Sequence, residues 1–157
     1  MTITEEEEEE GLPIDVLLIE DNPGDVRLTR EAFLATNPFV RLHVAADGVE
    51  AMAFLRREGQ YARAPRPGLI LLDLNLPLMD GREVLSRVKC DECLKTIPTV
   101  ILTTSDADAD IAEGYRLHAN CYLSKPVLLD QFENLVRSIN DFWLTKAKLP
   151  KQKRSNQ

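Results

Sequence analysis

The run Leu69-Ile70-Leu71-Leu72 has no polar face, and it stops at Asp73. A strand sends successive side chains to opposite faces, so a run that is apolar at every position must be covered on both. That is the condition of a central strand in a parallel sheet with helices on either side. Such sheets gather their functional groups in the crevice above the carboxyl ends of the strands, which is where Asp73 falls.

The layout repeats at the start of the chain, where Ile14-Asp15-Val16-Leu17-Leu18-Ile19 runs straight into Glu20-Asp21-Asn22. Two strands then deliver three carboxylates, Glu20, Asp21 and Asp73, to one rim. Like charges raise one another's pKa unless a cation neutralises them, and clustered hard oxygen ligands suit Mg²⁺. Solvated loop acids are the commoner fate of Asp and Glu, but these abut buried strands directly. A third run, Thr99-Val100-Ile101-Leu102, ends in Thr103-Thr104-Ser105, and a fourth, Cys121-Tyr122-Leu123, leads into Ser124-Lys125-Pro126. Acid, hydroxyl and ammonium at successive strand ends form a set able to bind a metal and hold a phosphoryl group on a carboxylate.

In order and spacing these residues resemble the receiver domain of two-component response regulators, over roughly Ile14 to Trp143. The resemblance implies that Asp73 is the phosphoacceptor and that Glu20 and Asp21 are the acidic pair for Mg²⁺. It further implies that Thr103 is the switch hydroxyl, Lys125 the phosphate-contacting lysine and Tyr122 the switch aromatic. The segment from Asp73 to Gly81 matches the family's phosphorylation loop, in which the backbone carbonyl of Asn75 completes the metal site. The implied chemistry is attack by Asp73 on a phosphohistidine of a sensor histidine kinase, with Glu20 acting on the metal through water. Thr103 then moves to the phosphoryl group and Tyr122 rotates inward. The resemblance also implies a cis Lys125–Pro126 bond.

The intervening segments support alternation of strand and helix. Helices are expected over residues 25–37, 48–57, 81–89 and 128–144, a weak strand over 41–45, and a Pro- and Gly-rich loop from Arg57 to Gly68. Five βα units with the first strand central give a doubly wound, flavodoxin-like parallel sheet of order 2-1-3-4-5 with right-handed crossovers. That order sets the first and third strands side by side, so that Glu20, Asp21 and Asp73 converge.

A chain of 157 residues, 44% hydrophobic, suffices for one good core. No stretch approaches the roughly 20 apolar residues of a membrane span, and the N-terminus lacks a signal peptide's pattern, so a cytoplasmic protein with no membrane partner is expected. Cys90 and Cys93 form a C-x-x-C, but no second ligand pair accompanies it. Free thiols are the better reading there and at Cys121, and neither His43 nor His118 joins the acidic set.

The net charge of -7 is unevenly spread, with six glutamates at Glu5 to Glu10 and five cations after Thr145. The expected division is an acidic disordered segment over 1–11, a receiver over 12–147 and a basic segment over 148–157. The basic segment is too short for a folded nucleic-acid reader, so no nucleic-acid partner is expected.

The last helix carries Phe132, Leu135, Val136, Ile139, Phe142 and Trp143, more aromatic surface than one face against a sheet requires. Its extension through Asp141-Phe142-Trp143-Leu144 and Ala147-Lys148-Leu149-Pro150 resembles the single-domain response regulators that pair with bacterial phytochromes. A phytochrome kinase partner and a homodimer through the aromatic end are expected; the plainer alternative is that Phe142 and Trp143 fold back on their own domain. The competing function is an aspartate-nucleophile phosphatase of the haloacid-dehalogenase type, but that motif has a second aspartate where Asn75 stands. A flavin carrier lacks its phosphate loop after the first strand.

Overall fold

The computed structural model describes residues 13–150. The acidic segment expected over 1–11, and the part of the basic segment beyond Pro150, lie outside them. Among the described residues the strands are β1 (Ile14–Ile19), β2 (Val40–Ala45), β3 (Leu69–Leu72), β4 (Thr99–Thr103) and β5 (Cys121–Ser124), paired in parallel in the order β2-β1-β3-β4-β5. The helices between and after them are α1 (Pro23–Thr36), α2 (Gly48–Arg56), α3 (Gly81–Cys90), α4 (Asp108–Arg116) and α5 (Leu129–Ile139). No helix of the described residues is long and apolar enough to cross a membrane.

Strand alternation divides the core into two layers. Leu17, Ile19, Ile70, Leu72 and Ile101 pack against Met52, Leu55, Val84, Leu85 and Val88 of α2 and α3. Their strand neighbours Val16, Leu18, Leu69, Leu71, Val100 and Leu102 pack on the opposite face against Phe33 of α1 and Phe132, Val136 and Ile139 of α5. All of Leu69 to Leu72 is buried from solvent. Each leucine so buried contributes roughly 1.5–3 kcal/mol, and this fixes β3 at the centre of the sheet.

Local chemistry sets the ends of the helices. Asn22 accepts the Asp25 N–H at 3.1 Å and Pro23 stands in the first turn, so α1 starts two residues before the expected Asp25. Asp47 caps α2 through the Glu50 N–H at 2.7 Å, and Asp80 caps α3 through the Arg82 N–H at 3.1 Å. The expected loop from Arg57 to Gly68 contains a 3₁₀ turn, Gly59–Tyr61, tied down by a hydrogen bond from the Tyr61 hydroxyl to Glu50. Lys125–Pro126 is trans, against the expectation of cis; trans is the intrinsically favoured isomer of an X–Pro bond, by about 0.5–1 kcal/mol.

The last helix is not one α-helix to Leu144. Its α-helical part ends at Ile139 and a π-helical stretch, Asn140–Lys146, follows. Asn140 is buried, accepting from Asn37 Nδ2 at 3.0 Å, and Ala147 N–H closes the wide turn on the Phe142 carbonyl at 2.7 Å. The widened turn keeps Trp143 and Leu144 against the β-sheet layer while Phe142 faces solvent. Cys90, Cys93 and Cys121 are free thiols. His43 sits 2.8 Å from the buried Asp15, which Arg41 also grips, and His118 closes α4 in the left-handed region at φ 72°.

Candidate functional site

The ladder carries on one residue beyond β1 and β3, and this brings their acids together. Asp73 N–H donates to the Ile19 carbonyl at 3.0 Å and Glu20 N–H to the Ala45 carbonyl at 3.0 Å. Both carboxylates therefore point into one rim while their backbones remain in the sheet. Glu20 is 2% exposed and Asp73 8%, whereas Asp21 is exposed.

Lys125 reaches this rim from the end of β5, where its N–H donates to the Thr103 carbonyl at 2.7 Å. Its side chain is 4% exposed and its Nζ donates to Glu20 Oε2, to Asp25 Oδ2 at 3.0 Å and to Asp73 Oδ2 at 3.2 Å. On the other oxygen of Asp73, Oδ1 accepts from Thr103 Oγ1 at 2.8 Å and from the Asn75 N–H at 3.2 Å. The Tyr122 hydroxyl donates to the Ser105 carbonyl at 2.9 Å, with the ring lying inward beside Gly114.

Negative charge is in excess here. Burial, joined by the nearby Asp73 carboxylate, pushes Glu20 up to about 7 against the opposing pull of its Lys125 hydrogen bond. Burial lowers Lys125, but the hydrogen bond to Glu20 and the charges of Asp73 and Glu20 outweigh it and push it up to about 12. The lysine thus stays cationic among acids that it cannot fully neutralise.

Glu20, Asp21 and Asp73 each offer an oxygen, and the three oxygens lie within 4.8 Å of one another. An oxygen-only, negatively charged donor set with an exposed member suits a hard divalent cation that keeps part of its water. The rim therefore fits such an ion.

Of the residues expected from sequence, Glu20, Asp21, Asp73, Asn75, Thr103 and Lys125 are brought to one rim, and Tyr122 stands behind it through Ser105. Asp25 was missed. It read as the start of a helix, yet from the first turn of α1 it becomes the third acid on Lys125. Its signal was its nearness to Glu20 and Asp21 across the tight Asn22-Pro23 turn.

The response regulator receiver domain model matches residues 16–137. The chain belongs to this receiver family. Response regulator Rcp1 of Synechocystis is 46% identical to this receiver over 143 residues, spanning 91% of this chain and 97% of its own length. Among solved structures, the phosphorylated cyanobacterial phytochrome response regulator RcpA is 49% identical with a TM-score of 0.86, over 88% of this chain and 99% of its own. The Mn²⁺-bound form of Rcp1 is 46% identical with a TM-score of 0.85, over 88% of this chain and all 100% of its own. The receiver is thus a phosphoacceptor signalling domain whose acidic rim fits a divalent cation, and the phosphatase reading is set aside.

Proposed function

We propose that Asp73 accepts a phosphoryl group from a phosphohistidine on a sensor histidine kinase. The observation that carries this reading is the meeting of Lys125 and Thr103 on opposite oxygens of one nearly buried carboxylate at a strand end. An Asp73 oxygen bonds to phosphorus as the phosphorus–nitrogen bond breaks and the imidazole leaves. Lys125 offsets the charge on the transferred group and Thr103 donates a hydrogen bond to it.

Glu20, Asp21, Asp73 and the Asn75 carbonyl are the groups that would hold Mg²⁺, which when bound neutralises charge between the acceptor and the incoming phosphoryl group. The Asn75 N–H already rests on Asp73, which keeps this turn of the loop beside the rim. Self-phosphorylation from small donors and self-dephosphorylation belong to the same rim.

The kinase is a phytochrome, a reading supported by the resemblance to RcpA and Rcp1. The working unit is a cytoplasmic receiver over residues 12–147, with acidic and basic flanks over 1–11 and 148–157, acting without nucleic acid or membrane. Phe142, 55% exposed and edge-on to Trp143 at 5.3 Å, supports self-association. Trp143 itself folds back on the domain, so a homodimer contact centres on Phe142 alone.

Intact mass after incubation with Mg²⁺ and acetyl phosphate tests the assignment. One added phosphoryl group is expected, absent in Asp73→Asn; labelling of that variant to the same extent would refute it.

A further inference from the structure

The Asp73 rim is closed on its far side by a chain of contacts that, apart from the Thr103–Asp73 bond, the acceptor chemistry does not use. Gly81 N–H donates to the Leu74 carbonyl at 2.9 Å, which fixes the first turn of α3 to the residue after Asp73. The next residue, Arg82, crosses to α4, where its guanidinium donates to Asp110 Oδ1 at 2.9 Å and lies 3.7 Å from Glu113. The other oxygen of Asp110 accepts from Ser105 Oγ at 2.6 Å. Ser105 is two residues from Thr103, whose hydroxyl returns to Asp73 Oδ1 at 2.8 Å. The ring Asp73–Leu74–Gly81–Arg82–Asp110–Ser105–Thr103 thus shuts on itself.

Two further bonds make Ser105 the hub of this ring. Its carbonyl accepts from Tyr122 at 2.9 Å and from Ser124 Oγ at 3.4 Å, so the switch aromatic and the exit from β5 hang on the same residue. The same guanidinium also donates through Nη1 to both oxygens of Asp80, at 3.2 and 3.3 Å, so its reach to Asp110 is braced. Arg82 and Asp110 are 26% and 29% exposed, dry enough for a braced Arg–carboxylate contact to hold its geometry. The Ser105 hydroxyl, and after it Arg82, hold the Asp110 carboxyl below the usual carboxylate range.

We propose that Arg82, acting through Asp110 and Ser105, is a positioning residue for phosphoryl transfer: the strut holds the β4–α4 loop where Thr103 rests on Asp73 and Tyr122 lies inward. This rests on Asp73 being the acceptor. The strut touches neither the transferred group nor the metal ligands. Its loss lets the loop and Tyr122 sample outward positions and lowers the fraction of molecules with Thr103 in place.

Two readouts on the full chain test the strut. In phosphoramidate titrations with Mg²⁺, Arg82→Met and Ser105→Ala lower the maximal labelling rate by about tenfold, the scale of a lost positioning contact, and leave the half-saturating Mg²⁺ unchanged. Arg82→Lys recovers most of the rate, and Arg82→Met/Asp110→Asn is no slower than either single variant, because both cut the same link. The second readout is ¹⁹F NMR of protein carrying fluorotyrosine at Tyr61, Tyr115 and Tyr122, in which Arg82→Met moves or broadens the Tyr122 line and leaves Tyr61 alone.

Wild-type rates and an unmoved Tyr122 line in Arg82→Met and Ser105→Ala would overturn the strut, as would a double variant whose loss is the product of the single losses. If the wild type labels at a residue other than Asp73, the acceptor assignment fails instead, and the ¹⁹F spectra still report whether Arg82 holds Tyr122.

Discussion

Gly81 stands where a single methyl group tests the geometry of the phosphorylation loop. A Cβ at this position would lie 2.2 Å from the Asp73 carbonyl oxygen, 2.6 Å from Leu74 Cα and 2.9 Å from the Leu74 carbonyl oxygen. These are backbone atoms held by the sheet, so no flexible side chain can yield. Relief demands that α3 and the loop part by about 1 Å, against an overpacking cost of roughly 1–3 kcal/mol. The same movement strains the Gly81 N–H bond to Leu74, present at 2.9 Å and worth about 0.5–1.5 kcal/mol. Alanine's better helix propensity returns part of this, leaving Gly81→Ala about 2–3 kcal/mol less stable. In a domain of this size that is a melting temperature lower by about 5–10 °C. Because the displaced atoms carry Asp73, acetyl phosphate labelling slows as well, by up to about a hundredfold for a 1 Å misplacement. Gly68→Ala is the control, since its Cβ would meet only ordinary contacts at 3.6 and 3.8 Å. Thermal melts by circular dichroism and labelling by intact mass read both effects. A Gly81→Ala protein that melts with Gly68→Ala and labels at the wild-type rate would refute the reasoning.

Lys125→Met removes the ammonium that touches Glu20, Asp25 and Asp73, and in EDTA its urea midpoint falls by the equivalent of about 3–5 kcal/mol; adding Mg²⁺ restores more stability to this variant than to the wild type. Asp73→Asn relieves repulsion in the same rim, so it melts no lower than the wild type in EDTA, and Mg²⁺ raises its melting temperature less. Asn140→Ala strips the buried acceptor from Asn37 and costs about 1–2 kcal/mol by urea denaturation, without altering the labelling rate. Phe142→Ala leaves the melting temperature of dilute protein unchanged and shifts sedimentation toward the monomer; equal sedimentation of variant and wild type would remove Phe142 from any self-contact.

β1, β3, β4 and β5 were legible because each carries an apolar run that ends at polar residues, whereas β2, interrupted by Arg41 and His43, gave only a weak pattern. Leu69 to Leu72 admitted only one environment, and the register Ile19↔Leu72 that follows from it explains why Glu20 and Asp73 meet. Helix ends were less legible, since they depend on cap geometry: Asn22 with Pro23 moved the start of α1 forward. The π-helical turn was not legible at all. Its first residue, Asn140, is held by Asn37, 103 positions away, a contact that no local periodicity encodes.

Within the site the same division separates what sequence reveals from what it hides. Glu20, Asp73, Thr103 and Lys125 end buried strands, where a polar side chain has no local use and so stands out. Asp25, Arg82 and Asp110 lie in or beside first turns of helices, where acids and capping partners are ordinary. There an acid aimed at Lys125 and an acid aimed at solvent look alike in sequence, and only the reach of Lys125 to the first turn of α1 and of Arg82 to that of α4 tells them apart. On the proposed reading, strand ends supply the reacting groups of this receiver, while helix starts supply the groups that hold them. A substitution in the second set is the one whose effect on phosphoryl transfer a motif scan would fail to anticipate.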